Sequence, residues 1–221
     1  MNASTLELAL KYEHNRIREL AAPAHDAAAV SPARRHETDW FYAIASQHLA
    51  AAEDVLLPRV RSLPDGKAKV AAYIANAREL ERSLRFLKGR IYGDSRVLHL
   101  HRDELWTEID RLLDEHEALE TDLGRELSAE VDDLGALTDK LLSAEENAPT
   151  RAHPNSPHTG TAGRMAHRMW RVADTAWDSA EGRVVPTRYR EHPKVDSPLS
   201  HYLRGTLIPE QQAPPPKLEE D

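Results

Sequence analysis

The chain has 221 residues and no cysteine, so it is long enough to bury a core without disulfide bonds, and thiolate metal sites and cysteine catalysis are excluded. Its formal net charge of −8 leaves no excess of cations to neutralise phosphates, which argues against nucleic-acid binding. Neither a glycine-rich phosphate loop nor an apolar run long enough to span a membrane occurs, and we expect a cytoplasmic protein. The 12 histidines are the unusual feature of the composition, because histidine is the commonest metal ligand.

Apolar residues recur at helical spacing along most of the chain and alternate like a strand almost nowhere. This pattern predicts an all-α fold built as an antiparallel bundle of amphipathic helices. A Ser31–Pro32 pair is a typical helix start, and residues 62–66 (SLPDG) form a clear turn. The predicted helices cover residues 5–20, 31–60, 67–88, 102–127 and 128–146.

The chain divides into three regions by composition. Residues 1–147 are predicted to form the helical bundle. Residues 148–185 hold a linker rich in proline and histidine, followed by a further amphipathic helix for which Gly182 is a natural C-terminal cap. Residues 186–221 lose the periodic pattern and are expected to be an irregular, disordered tail.

The amphipathic helix of the second region has one apolar face, formed by Met165, Met169, Val172 and Ala176. A basic patch beside it would suit a membrane surface. Acidic residues continue that patch with the opposite sign, which favours a helix docked on its own bundle or on a protein partner. The residues of the patch are Arg164, His167, Arg168 and Arg171, and the acidic ones are Asp174, Asp178 and Glu181.

Three histidines lie on or beside the apolar stripes of three predicted helices: His14, His48 and His116. Glu120 follows His116 by one turn on the same face. Burying such groups without partners costs several kcal/mol, and a metal ion shared between facing helices is one way to satisfy all of them. The alternative is that each histidine is an ordinary hydrogen-bonded core residue and that His116 and Glu120 form a simple helical pair.

Four stretches resemble the hemerythrin-like (HHE) cation-binding domains. Residues 12–20 (YEHNRIREL) resemble the opening helix of that family, and residues 48–58 (HLAAAEDVLLP) resemble its HxxxEE second helix. Residues 115–120 (EHEALE) resemble its HxxxE fourth helix. Residues 144–154 (AEENAPTRAHP) are similar to the tail common in actinobacterial members, and this is the most specific of the matches.

This resemblance implies an antiparallel four-helix bundle that binds one or two ions of non-haem iron. The family's roles are the binding, sensing or detoxification of O2, NO or peroxide, or the handling of iron. The predicted metal ligands are His14, His48, His116 and Glu120. Glu53 and Glu81 are the candidates that would complete the site.

The sequence departs from the family pattern at two ligand positions. Ala52 stands where a carboxylate is expected four residues after His48. Glu53 would lie about 140° round a straight helix, so it is either brought inward by a π-bulge or solvated. Ala77 occupies the ligand position of the third helix, and Glu81, one turn further on, is either a substitute ligand or a surface residue paired with a neighbouring arginine.

Two hypotheses follow. One is the iron protein described above. The other is a helical bundle that has lost its metal and acts through its C-terminal extension as a protein-interaction or stress-response module. Outside the bundle core, His99 and His101 are predicted to lie on the surface, and His153 and His158 in a solvated linker.

Overall fold

The computed structural model describes residues 4–26, 35–92 and 94–181 of the chain. Over these ranges the regular structure is entirely helical, with no strand, which confirms the predicted all-α class. None of the helices in these ranges is long and apolar enough to cross a bilayer. The helices are α1 (Thr5–Asp26), α2 (Arg35–Val55), α3 (Leu57–Val60), α4 (Gly66–Ile91), α5 (Arg102–Glu130), α6 (Leu134–Glu146) and α7 (Gly160–Glu181).

Side-chain caps set two of the helix starts. Before α1, the Glu7 amide donates to Ser4 Oγ at 3.2 Å, and the Ser4 amide donates to Glu7 Oε2 at 2.8 Å. This reciprocal pair is a capping box, which satisfies two amides that have no partner inside the helix. Before α6, Asp133 Oδ1 accepts from the Ala136 amide at 2.8 Å. The helix predicted to start at residue 128 therefore starts later, and residues 128–130 belong to α5.

The helix predicted over residues 31–60 is divided at Leu56 into α2 and the short α3. Pro58 explains the break, because proline has no amide hydrogen to donate and its ring clashes with the carbonyl one turn earlier. The predicted start at Ser31 and Pro32 lies outside the described residues. The helix nevertheless carries His48 and Glu53 in one unbroken stretch.

The core lies where α1 packs against α2 and α5, and where α4 packs against α5 and α2. The short helix α6 packs against α1 and α2. Each fully buried aliphatic or aromatic side chain contributes about 1.5–3 kcal/mol, so these faces dominate the stability of the fold. The largest completely buried side chains include Leu6, Leu10, Phe41, Leu49, Tyr73, Leu80, Leu84, Trp106, Ile109 and Leu112.

The turn into α4 has no room for a side chain at Gly66. A Cβ atom there would lie 2.1 Å from the carbonyl oxygen of Val60, well inside van der Waals contact. The preceding Asp65 adopts a left-handed conformation with φ of 55°, which aspartate tolerates better than most residues. Together these two residues fix how α4 leaves the end of α3.

Helix α7 docks through its polar face, and its predicted apolar face points to solvent. Asp174 and Asp178 are buried, and Arg151 Nη2 donates to Asp178 Oδ1 at 2.9 Å. The apolar face remains open, with Met165 66% and Val172 71% exposed. The polar face also contacts α2, where His167 Nδ1 lies 3.0 Å from Asp54 Oδ1, in agreement with the predicted docking of α7 on the chain's own helices. The predicted cap Gly182 and the tail 186–221 lie outside the described residues.

Candidate metal centre

Three core helices bring four ionisable side chains to one buried point. His14 comes from α1, His48 from α2, and His116 and Glu120 from α5. Each lies among the apolar residues of its own helix, so the packing of these helices against one another buries it together with them. Their exposed fractions are 5%, 1%, 1% and 0%. We call these four residues the core cluster.

Glu120 is the centre of the core cluster. Its Oε2 lies 3.0 Å from Nε2 of His14 and 3.0 Å from Nε2 of His48. Its Oε1 lies 3.3 Å from Nε2 of His116 and accepts a hydrogen bond of 2.7 Å from the Tyr73 hydroxyl. One ligand atom of each of the four residues lies within 4.8 Å of all the others, an arrangement found at no other place in the described residues.

Two polar side chains behind the core cluster orient its histidines. Glu145 Oε1 accepts from Nδ1 of His48 at 3.0 Å. Asn76 Oδ1 accepts from Nδ1 of His116 at 3.1 Å, while the Asn76 amide group donates to the Leu112 carbonyl at 3.2 Å. Metal-binding histidines commonly hold their second ring nitrogen in this way. The Nε2 atoms of both rings are thereby turned towards Glu120.

The pKa values of the residues in the core cluster are shifted in different directions. Burial alone lowers the pKa of His48, but Glu120 and Glu145 raise it to about 10. Burial lowers the pKa of His116, and Glu120 only partly opposes this. Burial would raise the pKa of Glu120, but His48 and His116 hold it well below its usual range. Glu120 is therefore ionised, His48 is charged and His116 is neutral.

The Nε2 atom of His116 lacks a hydrogen-bond partner in this arrangement. Because the Asn76 oxygen can only accept, a neutral His116 carries its proton on Nδ1, and its Nε2 then has a lone pair. That atom is buried and has no hydrogen-bond donor, although it faces the negatively charged Oε1 of Glu120 at 3.3 Å. A cation between them would relieve this repulsion. Three imidazoles and one carboxylate are also a donor set that suits iron, zinc or manganese.

Glu53 and Glu81, predicted to complete this site, lie elsewhere. Glu53 is buried although α2 has no bulge, because the C-terminal segment covers that side of the helix. Glu53 accepts from Nδ1 of His158 at 2.8 Å, and Glu81 Oε2 lies 3.7 Å from Nε2 of the same ring. Ala52 and Ala77 are completely buried and supply no ligand.

His158 and His167 are the functional candidates that sequence reasoning missed. His158 was expected in a solvated linker, and His167 was assigned only to the basic patch of α7, but they are only 4% and 8% exposed. His167 Nε2 lies 3.3 Å from Glu53 Oε2, and its Nδ1 lies 3.0 Å from Asp54 Oδ1. The spacing of His167, Asp174 and Asp178 on one face of α7 was the signal for burial of that face. We call Glu53, Glu81, His158 and His167 the lateral cluster.

The remaining histidines of interest belong to neither cluster. His99 and His101 are exposed, as predicted. His153 is partly buried and stacks on Trp170 with ring centroids 4.1 Å apart. It therefore helps to hold α7 instead of lying free in a linker.

No family of known proteins, no curated protein and no solved structure matches the chain. The fold and the site therefore define its class on their own. Over the described residues it is all-helical, with a buried group of three histidines and one glutamate that could hold a metal ion.

Proposed function

We propose that the protein is a hemerythrin-like metal protein, in which α1, α2, α4 and α5 form the antiparallel four-helix bundle and the core cluster binds non-haem iron. Its function would be to bind, sense or detoxify a small oxidant such as O2, NO or peroxide, or to handle iron. The observation that carries the proposal is the bare, buried Nε2 of His116 facing Glu120.

The residues of the core cluster would have distinct roles. His14, His48, His116 and Glu120 would be the ligands. Bound iron would supply open coordination positions and redox chemistry. Tyr73 donates to Glu120 and would fix the orientation of that carboxylate, while Glu145 and Asn76 would do the same for the rings of His48 and His116. The apolar side chains around the cluster would limit the access of water.

The donor set supports one ion at the core cluster. A second ion close to the first would need the ligands that Ala52 and Ala77 do not provide, and Glu53 and Glu81 face His158 in the lateral cluster. We therefore propose a mononuclear site at this position.

Elemental analysis of protein expressed in iron-supplemented medium tests the proposal. We compare the wild type with a His48→Ala/His116→Ala variant and with a His99→Ala/His101→Ala control, which removes the same number of histidines from the surface. The core variant should hold about one iron fewer per chain than the wild type and the control, since it loses two of four ligands. Equal iron in all three proteins, or no iron in a wild type that is fully helical by circular dichroism, would contradict the proposal.

A second candidate function is that of a metal-free interaction module acting through the C-terminal helix. The observation in its favour is the open apolar face of α7, where Met165, Met169, Val172 and Trp177 are all more than half exposed. Exposed apolar patches of this kind are typical of interaction sites. Two results together would favour this function. The wild type would be folded without metal, and replacing Met165 and Met169 by serine would abolish its binding to a partner protein isolated with the wild type.

A further inference from the structure

Contacts on one side of α7 fix which of its residues face solvent. Asp174 and Asp178 are buried on that side. The Arg151 amide donates to Asp174 Oδ2 at 3.0 Å, and Arg151 Nη2 donates to Asp178 Oδ1 at 2.9 Å. On the same side, a Cβ atom at Gly163 would lie 2.8 Å from the backbone carbonyl carbon of His158. Helix α7 is therefore held in one orientation about its axis, and its opposite side is left to solvent.

The solvent side of α7, which we call the outer face, has an apolar strip along its centre. Met165, Met169 and Val172 follow one another at spacings of four and three residues, so they share one side of the helix. Trp177 lies at the edge of this strip, and all four side chains are more than half exposed. The strip is not part of the core cluster of apolar side chains that holds the fold together, so it can contact an apolar partner.

Three exposed arginines border the apolar strip on one side. In the described part of the chain none of the three forms an ion pair. Asp174 and Asp178 point into the bundle, and no acidic side chain is exposed on residues 160–180. The structure thus separates charges that the sequence places on one helix, with negative charge inside and positive charge outside. The arginines are Arg164, Arg168 and Arg171.

The surroundings of the outer face are also cationic, although the whole chain is acidic. No aspartate or glutamate occurs in residues 147–173, and the exposed Arg61 lines the same cleft as Arg164. Much of the negative charge lies on α5, which has eleven acidic residues and three arginines. That helix packs against α1, α3 and α4, whereas α7 packs mainly against α2. Because charges farther apart than about 8 Å are largely screened at physiological salt, the acidic helix leaves the positive potential of the outer face in place.

The combination of an apolar strip with unpaired arginines matches one kind of partner, an anionic lipid bilayer. Helices that lie on such a surface bury apolar side chains at the boundary of the acyl chains and place cations against the lipid phosphates. Tryptophan suits the same boundary because its ring is apolar and its N–H is polar. A second copy of the outer face would offer the arginines no acidic group. Helix α7 is not long and apolar enough to cross a bilayer, so it would lie on the surface.

We propose that the outer face of α7 binds membranes that contain anionic phospholipid. The apolar strip enters the headgroup boundary, and the three arginines contact lipid phosphates. This proposal names a lipid surface in place of the protein partner of the second candidate function. It does not depend on a metal ion in the core cluster. Its consequence is that the protein acts at a membrane surface, with the helical bundle held outside the bilayer.

Co-sedimentation of the full-length, chelator-treated protein with vesicles tests this proposal. The wild type should bind vesicles of phosphatidylcholine mixed with phosphatidylglycerol, and should not bind phosphatidylcholine alone. Replacing the three arginines of the outer face by glutamine should weaken binding about 100-fold. The control replaces three exposed arginines at the same spacing on α4 by glutamine and should weaken binding less than about threefold. The control residues are Arg78, Arg82 and Arg85.

A second pair of variants tests the apolar strip. Met165→Ser/Met169→Ser should weaken binding to the mixed vesicles at least about tenfold, because two apolar side chains no longer enter the lipid. Leu8→Ser/Tyr12→Ser is the control, since these two residues of α1 have the same spacing and are also more than half exposed. It should bind as the wild type does.

Three results would overturn the proposal and leave the core cluster untouched. The first is a wild type that does not sediment with the mixed vesicles. The second is equal binding of the outer-face variants and their controls. The third is a wild-type dimer, detected by light scattering, that Met165→Ser/Met169→Ser converts to monomer, because the outer face would then be occupied by a second copy of the chain. Vesicle binding by a wild type that holds no iron would support this proposal while the proposed metal function fails.

Discussion

The core cluster and the lateral cluster contain the same kinds of side chain, but they are organised differently. In the core cluster Nδ1 of His48 and of His116 is held from behind, and the Nε2 atoms converge on one carboxylate. In the lateral cluster both ring nitrogens of His158 and of His167 face carboxylates. The comparison teaches that burial of histidine and glutamate does not by itself define a metal site; the orientation of the rings by outside partners is the additional evidence.

The largest effect is expected from Glu120→Gln in the core cluster. The substitution removes the charge that neutralises His48, and breaking a buried ion pair from one side costs about 3–5 kcal/mol. Urea unfolding of metal-free protein at neutral pH should show this loss, and iron content should fall with it. Glu117→Gln on the same helix is the control, because its partly exposed side chain lies 4.0 Å from Arg18 and should change the free energy of unfolding by less than about 0.5 kcal/mol. Equal stability of the two variants would mean that the core cluster is not charged.

An intermediate effect is expected from His167→Gln in the lateral cluster, and it should depend on pH. Burial lowers the pKa of His167, but Asp54 and Glu53 together raise it to about 10. A raised pKa means that the folded state binds the proton more tightly, so this stabilisation is complete below about pH 6.5 and is lost as the pH rises through about 10. In metal-free protein at low pH, the free energy of unfolding of the variant should be lower than that of the wild type by about 1.5–3 kcal/mol.

The measurement for His167 is urea unfolding at about pH 6 and at about pH 10.5, on either side of the transition. The difference in the free energy of unfolding between wild type and variant should be largest at the lower pH and close to zero at the higher pH. Arg168→Gln, an exposed neighbour on α7, should show no such change. The same difference in the free energy of unfolding at both pH values would show that His167 stabilises the fold by packing and not by charge.

The smallest effect is expected from Glu145→Gln, which keeps the shape of the partner behind His48. Glutamine can still accept from Nδ1, but the ring loses the adjacent negative charge and becomes a weaker ligand. Changes to such outer partners lower metal affinity by about 10–100-fold, and we expect the lower end because the hydrogen bond remains. Competition with a chelator measures the affinity for iron. Glu146→Gln, exposed at the end of α6, is the matched control, and an equal affinity for both variants would contradict the proposed orientation.

The core cluster could be predicted from the sequence because its members obey helical periodicity. His48 and His116 each follow an apolar residue of their own stripe by one turn, so local spacing was enough to bury them. The all-α class followed from the same pattern. Glu120 could be added to the predicted cluster because it lies one turn after His116 on the same face of the helix.

The lateral cluster could not be predicted in this way. Glu53 lies off the apolar stripe of α2, and it is buried only because His158, 105 residues later, covers it. No local pattern encodes a contact of that separation. The docking of α7 was obscured for a related reason, since its buried face carries the charges and its open face carries the methionines.

The absence of a side chain at Gly66 has a consequence for both clusters. Helix α4 begins at this residue and carries Tyr73 and Asn76 to the core cluster and Glu81 to the lateral one. A single methyl group at Gly66 would push against the Val60 carbonyl, and because a helix moves as a stiff rod, the displacement would be transmitted along α4. The close approach of Gly66 to Val60 thus sets where α4 presents Tyr73 and Asn76 to the core cluster and Glu81 to the lateral cluster.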